Sequence, residues 1–322
     1  MSIYLSSARR LLDFVVALLA FAALAPVWLA PWTTARRLAR AYGGVVFFYC
    51  GKERRTSMIN LRRVYGPAIN RRVARSWTLE VFKRQASAIA DGLQFARRIR
   101  TLEQLREICR AEDPGLAERL ALDPRPKILV AGHLGSWELA LMAAGLFSAW
   151  KGLVVARRID NPFVDRLIRG TRFWAGGTLV EKRGAVEKLL RGLRSGCHVA
   201  LLLDENGSRH GPFVPFFGRL ASSRKTAALL SLLTGCPVVL GAAVPDNEDG
   251  VRFLYRLALF EPASYRTHFD PIRQMTADLF RTFETWVSDA PLCWRWIHWR
   301  WKNRPDGTVE TYTRWDLAEA FK

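Results

Sequence analysis

The chain has 322 residues and half of them are hydrophobic, which is enough for a substantial core and excludes a disordered protein. Its formal net charge of +20 favours an anionic partner, such as nucleic acid, an anionic membrane, or an acidic carrier together with a phosphorylated substrate. The five cysteines form no C-x-x-C pair, which argues against a disulfide framework or a zinc site and favours reduced thiols in a cytosolic environment.

The first element is an apolar segment, "FVVALLAFAALAPVWLAPWT", which runs from Phe14 to Thr33 without a charge and is long enough to span a bilayer. More basic residues follow it than precede it, so residues 1–33 are predicted to be a membrane anchor with the rest of the chain in the cytoplasm. Pro26 and Pro31 are expected to kink or end the helix. A cleaved signal peptide and a helix lying in the interface are the alternatives.

Residues 34–122 mix basic and apolar positions at helical spacing, and we predict a helical N-terminal part of the catalytic domain there. From residue 123 to 322 the pattern changes to an α/β core. The predicted strands are "KILVAG", "GLVVAR", "HVALLLD", "CPVVLGAAV" and "RFLYRLALF". Helices are predicted between them, one opened by Ser136 as N-cap, one with Pro162 near its start, and a last one over residues 270–289. This alternation predicts a largely parallel central sheet flanked by helices.

Three predicted strands end in a reactive side chain, namely His133, Arg157 and Asp204. Open α/β sheets place function at the carboxyl ends of their strands. His133 is suited to act as a general base on a hydroxyl, and Glu138, five residues later, is suited to hold the other ring nitrogen. The alternative is a purely structural turn in which Glu138 stabilises the start of a helix.

The other polar groups at these strand ends suggest substrate contacts. Arg157 is placed to bind phosphate or stabilise an oxyanion, although a solvated basic turn would have the same sequence. Asp204 and Glu205 follow an apolar strand, and Gly207 in the same turn allows backbone to approach a ligand closely. Paired acids can bind a divalent metal, but no further ligand set is visible, and no metal is expected.

Two aromatic stretches are unusual. In "FVPFFG", the residues Phe216, Phe217 and Gly218 belong either to the core, to an apolar acyl-chain groove, or to a segment that dips into the membrane. In "WRWIHWRW", helical spacing places Trp294, His298 and Trp301 on one face, and such a segment suits the membrane interface. His298 is expected to have a structural or interfacial role.

Together the runs "GHLGSWE", "RRIDNPFVDRLIR", "GCHVALLLDENG", "VPFFG", "TGCPVV" and "PLCWRWIHWRWKNRP" resemble the bacterial lipid A biosynthesis lauroyl/myristoyl acyltransferases, a branch of the lysophospholipid acyltransferase superfamily. The resemblance covers roughly residues 8 to 305 and implies a glycerol-3-phosphate acyltransferase-like fold. It implies His133 as base, Glu138 as its partner, and Arg157 and Asp204 as residues of the site. The family usually has Asp-Gln where this chain has Asp204-Glu205, and asparagine is common where this chain has Ser136.

The resemblance further implies an enzyme of the bacterial inner membrane whose site faces the cytoplasm. It would move a fatty acyl group from acyl carrier protein, or from acyl-CoA, to a hydroxyl of a lipid A precursor. No cofactor is expected beyond the donor thioester. The same chemistry on a lysophospholipid, a phosphatidylinositol mannoside or another glycolipid is the alternative. A membrane-tethered protein that binds nucleic acid or another anionic polymer also fits the charge and the aromatic residues, but no recognised nucleic-acid motif appears.

Overall fold

The computed structural model describes residues 2–141, 152–156, 161–163, 165, 177–181, 184–246 and 251–322. In these ranges helices occupy most of residues 2–122, and strands alternate with helices after them. The N-terminal helices are α1 (Ser2–Leu29), α2 (Trp32–Tyr49), α3 (Gly51–Tyr65), α4 (Arg71–Arg98), α5 (Leu102–Ile108) and α6 (Pro114–Leu122). A short strand, β1 (Cys109–Ala111), lies between α5 and α6 and was not predicted. All five cysteines are free thiols.

Helix α1 contains the apolar segment, and residues Arg9–Leu29 are long and apolar enough to cross a membrane. The helix continues through Pro26 and ends two residues before Pro31, so only the second proline coincides with a helix end. Side chains of α4 bind the carbonyl groups at this end: Arg97 donates to Trp28 O over 2.6 Å and to Leu29 O over 3.0 Å. The end of α1 is therefore attached to the helical part of the domain.

A second contact lies near the start of the apolar segment of α1. The side chain of Asn161 donates a hydrogen bond of 2.7 Å to the carbonyl of Asp13, and the rings of Phe14 and Phe163 lie 5.5 Å apart. Helix α1 thus touches the rest of the chain near both ends of its apolar segment.

The main sheet contains the strands β2 (Ile128–Gly135), β3 (Gly152–Ala156), β4 (Gly177–Glu181), β5 (His198–Leu202), β8 (Val238–Pro245) and β9 (Phe253–Phe260) together with β1. In the described ranges their spatial order is β1-β9-β8-β2-β5-β3-β4. Neighbouring strands are parallel except for β8 and β9, which are antiparallel. A two-stranded hairpin, β6 (Phe213–Phe216) with β7 (Arg219–Ser222), stands apart from this sheet. The predicted, largely parallel α/β sheet is confirmed.

Helices cover both faces of the sheet. The later helices are α7 (Ala185–Arg194), α8 (Thr226–Thr234), α9 (Pro271–Asp289) and α10 (Arg314–Ala320). Along β8, Leu240 and Val244 join the larger core, which α7, α8 and α9 complete. Ala243 points to the other face and belongs to a smaller core that includes Phe95 of α4. This alternation is expected of a strand buried on both sides.

Candidate active site

The site begins with an irregularity in the central strand β2. Its residues Ile128 to Ala131 pair with β5 on one side and with β8 on the other. The register with β8 then shifts, because Ala131 pairs with Gly241 whereas Gly135 pairs with Ala243. Four steps along β2 match two steps along β8, so residues 132–134 bulge from the ladder. His133 lies in the middle of this bulge, at the carboxyl end of the strand.

Two glycines make this bulge possible. A Cβ atom on Gly132 would lie 2.2 Å from Cζ of Phe283 in helix α9. Gly135 has a φ of +59°, and a Cβ there would lie 2.2 Å from the carbonyl oxygen of Ala243. Neither position accommodates a side chain, so glycine is required at residue 132 by packing and at residue 135 by packing and backbone conformation.

The imidazole of His133 is held by Asp204, which lies two residues beyond the end of the adjacent strand β5. Nδ1 of His133 is 2.8 Å from Oδ1 of Asp204, and the backbone N–H of His133 donates to Oδ2 over 2.8 Å. Nε1 of Trp294 donates to the same Oδ2 over 2.9 Å. Both side chains of the pair are buried. Asp204 is therefore fixed by three donors and fixes the ring in turn.

The charge of Asp204 determines the tautomer of the ring. Burial raises the pKa of Asp204, but the interaction with His133 and the hydrogen bonds from His133 and Trp294 outweigh it, so the pKa of Asp204 lies well below its usual range. An ionised carboxylate at Nδ1 requires a proton on that nitrogen. The lone pair of the neutral imidazole then lies on Nε2, the atom that can accept a proton from a substrate.

Glu138 does not make the contact expected of it, because the hydrogen bond at Nδ1 is made by Asp204. It lies instead in the helical segment that begins at residue 137, where its side chain is half-buried. A Cβ on Gly92 of α4 would lie 3.0 Å from Cβ of Glu138, so the glycine lets this segment pack closely on α4. Trp137 lies between His133 and Glu138 in sequence, and its ring centroid is 5.2 Å from that of His133.

The segment after α9 completes the site, and here the sequence prediction was wrong. Pro291–Cys293 form one 3-10 turn, and residues 294–304 are not helical. Trp294 pairs with Leu134 as an isolated β-bridge, and the backbone N–H of Arg295 donates to the carbonyl of His133 over 3.1 Å. Trp294, Trp296 and Trp301 are all almost completely buried. These indoles therefore belong to the core beneath the site and not to a membrane-facing helix.

The sequence of this chain matches the family described as bacterial lipid A biosynthesis acyltransferase over residues 5–303. The chain belongs to this family. Among curated proteins it is similar to the lipid A biosynthesis lauroyltransferase of Escherichia coli (strain K12), with 25% identity over 189 residues. That alignment covers 58% of this chain and 59% of the relative, which is less than two thirds of the relative's length. The predicted family is confirmed.

Glu205, the residue that departs from the family's usual Asp-Gln, forms an ion pair. Its Oε2 lies 2.8 Å from a guanidinium nitrogen of Arg224, and both side chains are partly exposed. Burial raises the pKa of Glu205, but Arg224 and the nearby His133 hold it below its ordinary value. An ion pair thus lies in the neighbourhood of the histidine.

Gly207 serves a different purpose from the one expected. A Cβ there would lie 2.7 Å from Oγ of Ser222 and 2.8 Å from the carbonyl oxygen of Ser223. Its N–H donates to the Ser222 carbonyl, and its own carbonyl accepts from the side chain of Asn303. The close approach that requires glycine is therefore to the β7 strand and not to an open surface.

The three acyl-groove candidates occupy different environments. Phe216 is fully buried, and its ring contacts those of Phe280, Phe283 and Trp301, so it belongs to the core and does not line a surface groove. Phe217 is half-buried, and both it and the exposed Gly218 have positive φ, which forms the tight turn between β6 and β7. The positive φ that this turn requires explains the glycine at position 218.

His298 has the structural role that was expected. Its Nε2 accepts a hydrogen bond of 3.0 Å from the backbone N–H of Asn206, and its carbonyl accepts one from the side chain of Asn60. Burial lowers the pKa of His298 to about 4, so the ring is neutral near pH 7 and can accept that bond. It fixes the turn that follows Asp204.

Sequence reasoning missed two residues that support the site. Trp294 holds Asp204, and Arg300 is completely buried below the hairpin. Arg300 donates to the carbonyl of Ser222 and to Oγ of Ser223, and its guanidinium lies 4.6 Å from the ring centroid of Phe280. A dense aromatic and basic stretch was visible in the sequence, but its spacing did not reveal these contacts.

Arg157 lies outside the described residues, and its role remains a prediction. Among the described residues, no group of three or more His, Cys, Asp and Glu side chains is placed to hold a metal ion.

Proposed function

We propose that this protein is a membrane-bound O-acyltransferase that moves a fatty acyl group from an acyl thioester to a hydroxyl of a lipid A precursor. The observation that carries the proposal is the buried His133–Asp204 pair at the carboxyl end of the central strands, in a chain that belongs to the lipid A acyltransferase family. Such a pair is suited to take a proton from an alcohol, and the substrate itself then supplies the nucleophile.

The proposed reaction needs both substrates bound together and forms no acyl-enzyme. Nε2 of His133 takes the proton from the acceptor hydroxyl while its oxygen attacks the thioester carbonyl carbon. Asp204 stabilises the imidazolium that forms. The tetrahedral intermediate then collapses, the carbon–sulfur bond breaks, and the leaving thiolate takes the proton from His133. The products are an ester and a free thiol, so atoms and charge balance.

The remaining catalytic contacts are assigned by proposal. Arg157 and backbone amides near the turn after β5 would stabilise the oxyanion or bind a phosphate. Glu138 would balance the charge of the imidazolium from the adjacent helix. The Glu205–Arg224 pair, which lies near His133, would contact the polar head of the acceptor. No cofactor is required, because the donor thioester supplies the activated acyl group.

The charge of the chain fits the partners that this reaction requires. A phosphorylated glycolipid, the surface of an anionic membrane and an acyl carrier protein are all negative, and the chain has a formal net charge of +20. Helix α1 would anchor the enzyme in the bacterial inner membrane with the catalytic domain on the cytoplasmic side.

The test is an acyl-transfer assay on the purified full-length protein in detergent. Donors on acyl carrier protein and on CoA, with several chain lengths, would be offered to a lipid A precursor and separately to lysophospholipids, and mass spectrometry would identify the products. We expect one added acyl chain on the precursor, lost in His133→Ala and retained in His268→Ala, which changes an exposed histidine far along the chain.

Two other outcomes would change the proposal. Acylation of lysophospholipids alone would keep the chemistry and replace the acceptor. If no acceptor gained an acyl chain in a His133-dependent manner, the histidine would be a structural residue and the enzymatic proposal would fail.

A further inference from the structure

The outer face of helix α2 is apolar and exposed. Over the last nine residues of the helix, 41–49, the sequence "AYGGVVFFY" contains no charge. The exposed side chains that form this α2 patch are Tyr42, Val45, Val46, Phe48 and Tyr49. Phe48 is 65% exposed and Tyr49 is 85% exposed. A contiguous patch of this kind on one helix indicates a surface that is covered by something other than water.

The patch is presented on a helix that is fixed from behind. Gly43 and Phe47 are buried against α4, and a Cβ on Gly43 would lie 2.6 Å from the carbonyl oxygen of Phe82. At the end of the helix, Arg54 donates hydrogen bonds of 2.7 Å and 3.2 Å to the carbonyls of Phe47 and Phe48. The inner face is therefore packed and the last turn is capped, so the helix cannot rotate to bury the patch.

Basic side chains lie near the patch. The guanidinium of Arg54 lies at the last turn of α2, where it bonds the carbonyls of Phe47 and Phe48. Lys52 follows the end of the helix, and Arg37 is exposed in its first half. An apolar face bordered by lysine and arginine is the pattern of a helix that lies in the interface of an anionic bilayer. Tyrosine suits the same depth, because its ring is apolar and its hydroxyl is polar.

The helix that carries the patch is attached to the anchor. Only Ala30 and Pro31 separate α2 from α1, and Val27 of α1 packs against Ala35 and Ala39 of α2. Helix α2 therefore starts where the anchor helix ends and packs against it.

We propose that the α2 patch lies in the interface of an anionic bilayer, so that the protein contacts the membrane through the outer face of α2 in addition to α1. This proposal rests on the membrane location given under the proposed function. The occupant of the patch is lipid, since the nearby basic side chains and the attachment of α2 to the anchor helix both favour a bilayer.

A membrane contact at α2 would also fix the position of the active site. Helix α2 meets α4 at Asp91, whose carboxylate accepts from Nε1 of Trp32 over 2.9 Å. The other oxygen of Asp91 accepts from the hydroxyl of Ser136 over 2.6 Å, three residues after His133. One buried carboxylate thus joins the start of the membrane-facing helix to the catalytic loop, and the distance between bilayer and histidine becomes nearly constant.

The experiment places an environment-sensitive NBD fluorophore on the full-length protein in phosphatidylglycerol-containing vesicles. Phe48→Cys carries the probe, with the two half-buried thiols removed by Cys50→Ser and Cys197→Ser. The matched control is Phe269→Cys, because Phe269 is fully exposed. It follows β9, whose last residue pairs with the first residue of β8, and this end of the two strands lies at the edge of the sheet opposite His133. Brominated lipids and aqueous iodide are the two quenchers.

We expect the probe at position 48 to be blue-shifted, quenched at least about twofold by brominated lipid, and protected from iodide, whereas the probe at position 269 shows the reverse. Flotation of the same vesicles tests the membrane location of the protein separately from the placement of the α2 patch in the bilayer. If the protein floats with the vesicles but iodide quenches position 48, the patch faces water and the inference is wrong while the anchor stands. A blue shift without quenching by brominated lipid indicates a protein contact and also overturns it. If the protein does not float, the membrane location itself fails.

Discussion

The Asp204→Asn substitution tests the tautomer argument directly. In the wild type, Oδ1 faces Nδ1 of His133, whereas Oδ2 accepts from the His133 backbone and from Trp294. The asparagine side chain satisfies the two donors only with its oxygen in the Oδ2 position, which turns its NH2 group towards Nδ1. The imidazole must then accept at Nδ1 and carry its proton on Nε2. The base would be lost although every hydrogen bond is still made.

The expected loss of activity in Asp204→Asn follows from this geometry. Loss of the correct tautomer lowers kcat by about 10³ to 10⁴, which corresponds to about 4–5 kcal/mol of activation free energy. Folding should change less, by about 1–2 kcal/mol, because charge-assisted bonds are replaced by neutral ones. The assay is initial-rate acyl transfer together with thermal unfolding. Asp289→Asn, which alters an exposed ion pair with Arg256, is the control.

The result that refutes the reasoning is a folded Asp204→Asn enzyme that keeps more than about a tenth of the wild-type kcat. Unfolding as a function of pH gives a second check. Because the pKa of Asp204 is depressed, its stabilising effect is fully present above its unfolded pKa, near 4, and is lost as the pH falls through the lower folded value. The stability difference between wild type and variant should therefore decrease as the pH falls below about 4.

Three further predictions concern stability, measured by thermal or denaturant unfolding. Gly135→Ala should destabilise by more than about 3 kcal/mol because of positive φ and a clash, whereas Gly235→Ala, with a φ of +76° and open space, should lose about 1 kcal/mol; equal losses would contradict the clash. Asp91→Ala should destabilise by about 3–5 kcal/mol, since it removes the buried carboxylate that Arg36, Trp32 and Ser136 share; a near-neutral effect would rule out this network. His298 binds a proton in the unfolded chain at higher pH than in the native one, so wild-type stability should fall by up to about 3 kcal/mol from pH 6.5 to 4, and His298→Gln should remove this fall.

The sequence was sufficient to predict the residues of the site that lie at the ends of the central strands. His133 and Asp204 were identified because each follows an apolar run, and the carboxyl ends of parallel strands meet at one edge. Their pairing could not be predicted, because it depends on β2 and β5 being neighbours. The same spacing argument favoured Glu138, which is near His133 in sequence although Asp204 makes the bond at Nδ1.

The errors have physical causes as well. Strand β1 has three residues, too few for a periodic signal, and the β6–β7 hairpin contains Pro215, which is unusual within a strand. The tryptophan segment has helical spacing by coincidence. Its backbone bonds to His133 and to Leu134, which lie more than 150 positions away, and the backbone bonds within the segment span two or three residues and not the four of an α-helix.

Trp294 lies in the last tenth of the chain, and this position has a consequence for biosynthesis. The ribosome makes α1 first, so the nascent chain can reach the membrane long before residue 294 has been added. Until then Asp204 lacks the indole donor, and Leu134 and the carbonyl of His133 lack their partners. A chain that lacks this segment therefore holds Asp204 and His133 with fewer contacts. Under the proposed function, full acyl-transfer activity would begin only after this segment has been added.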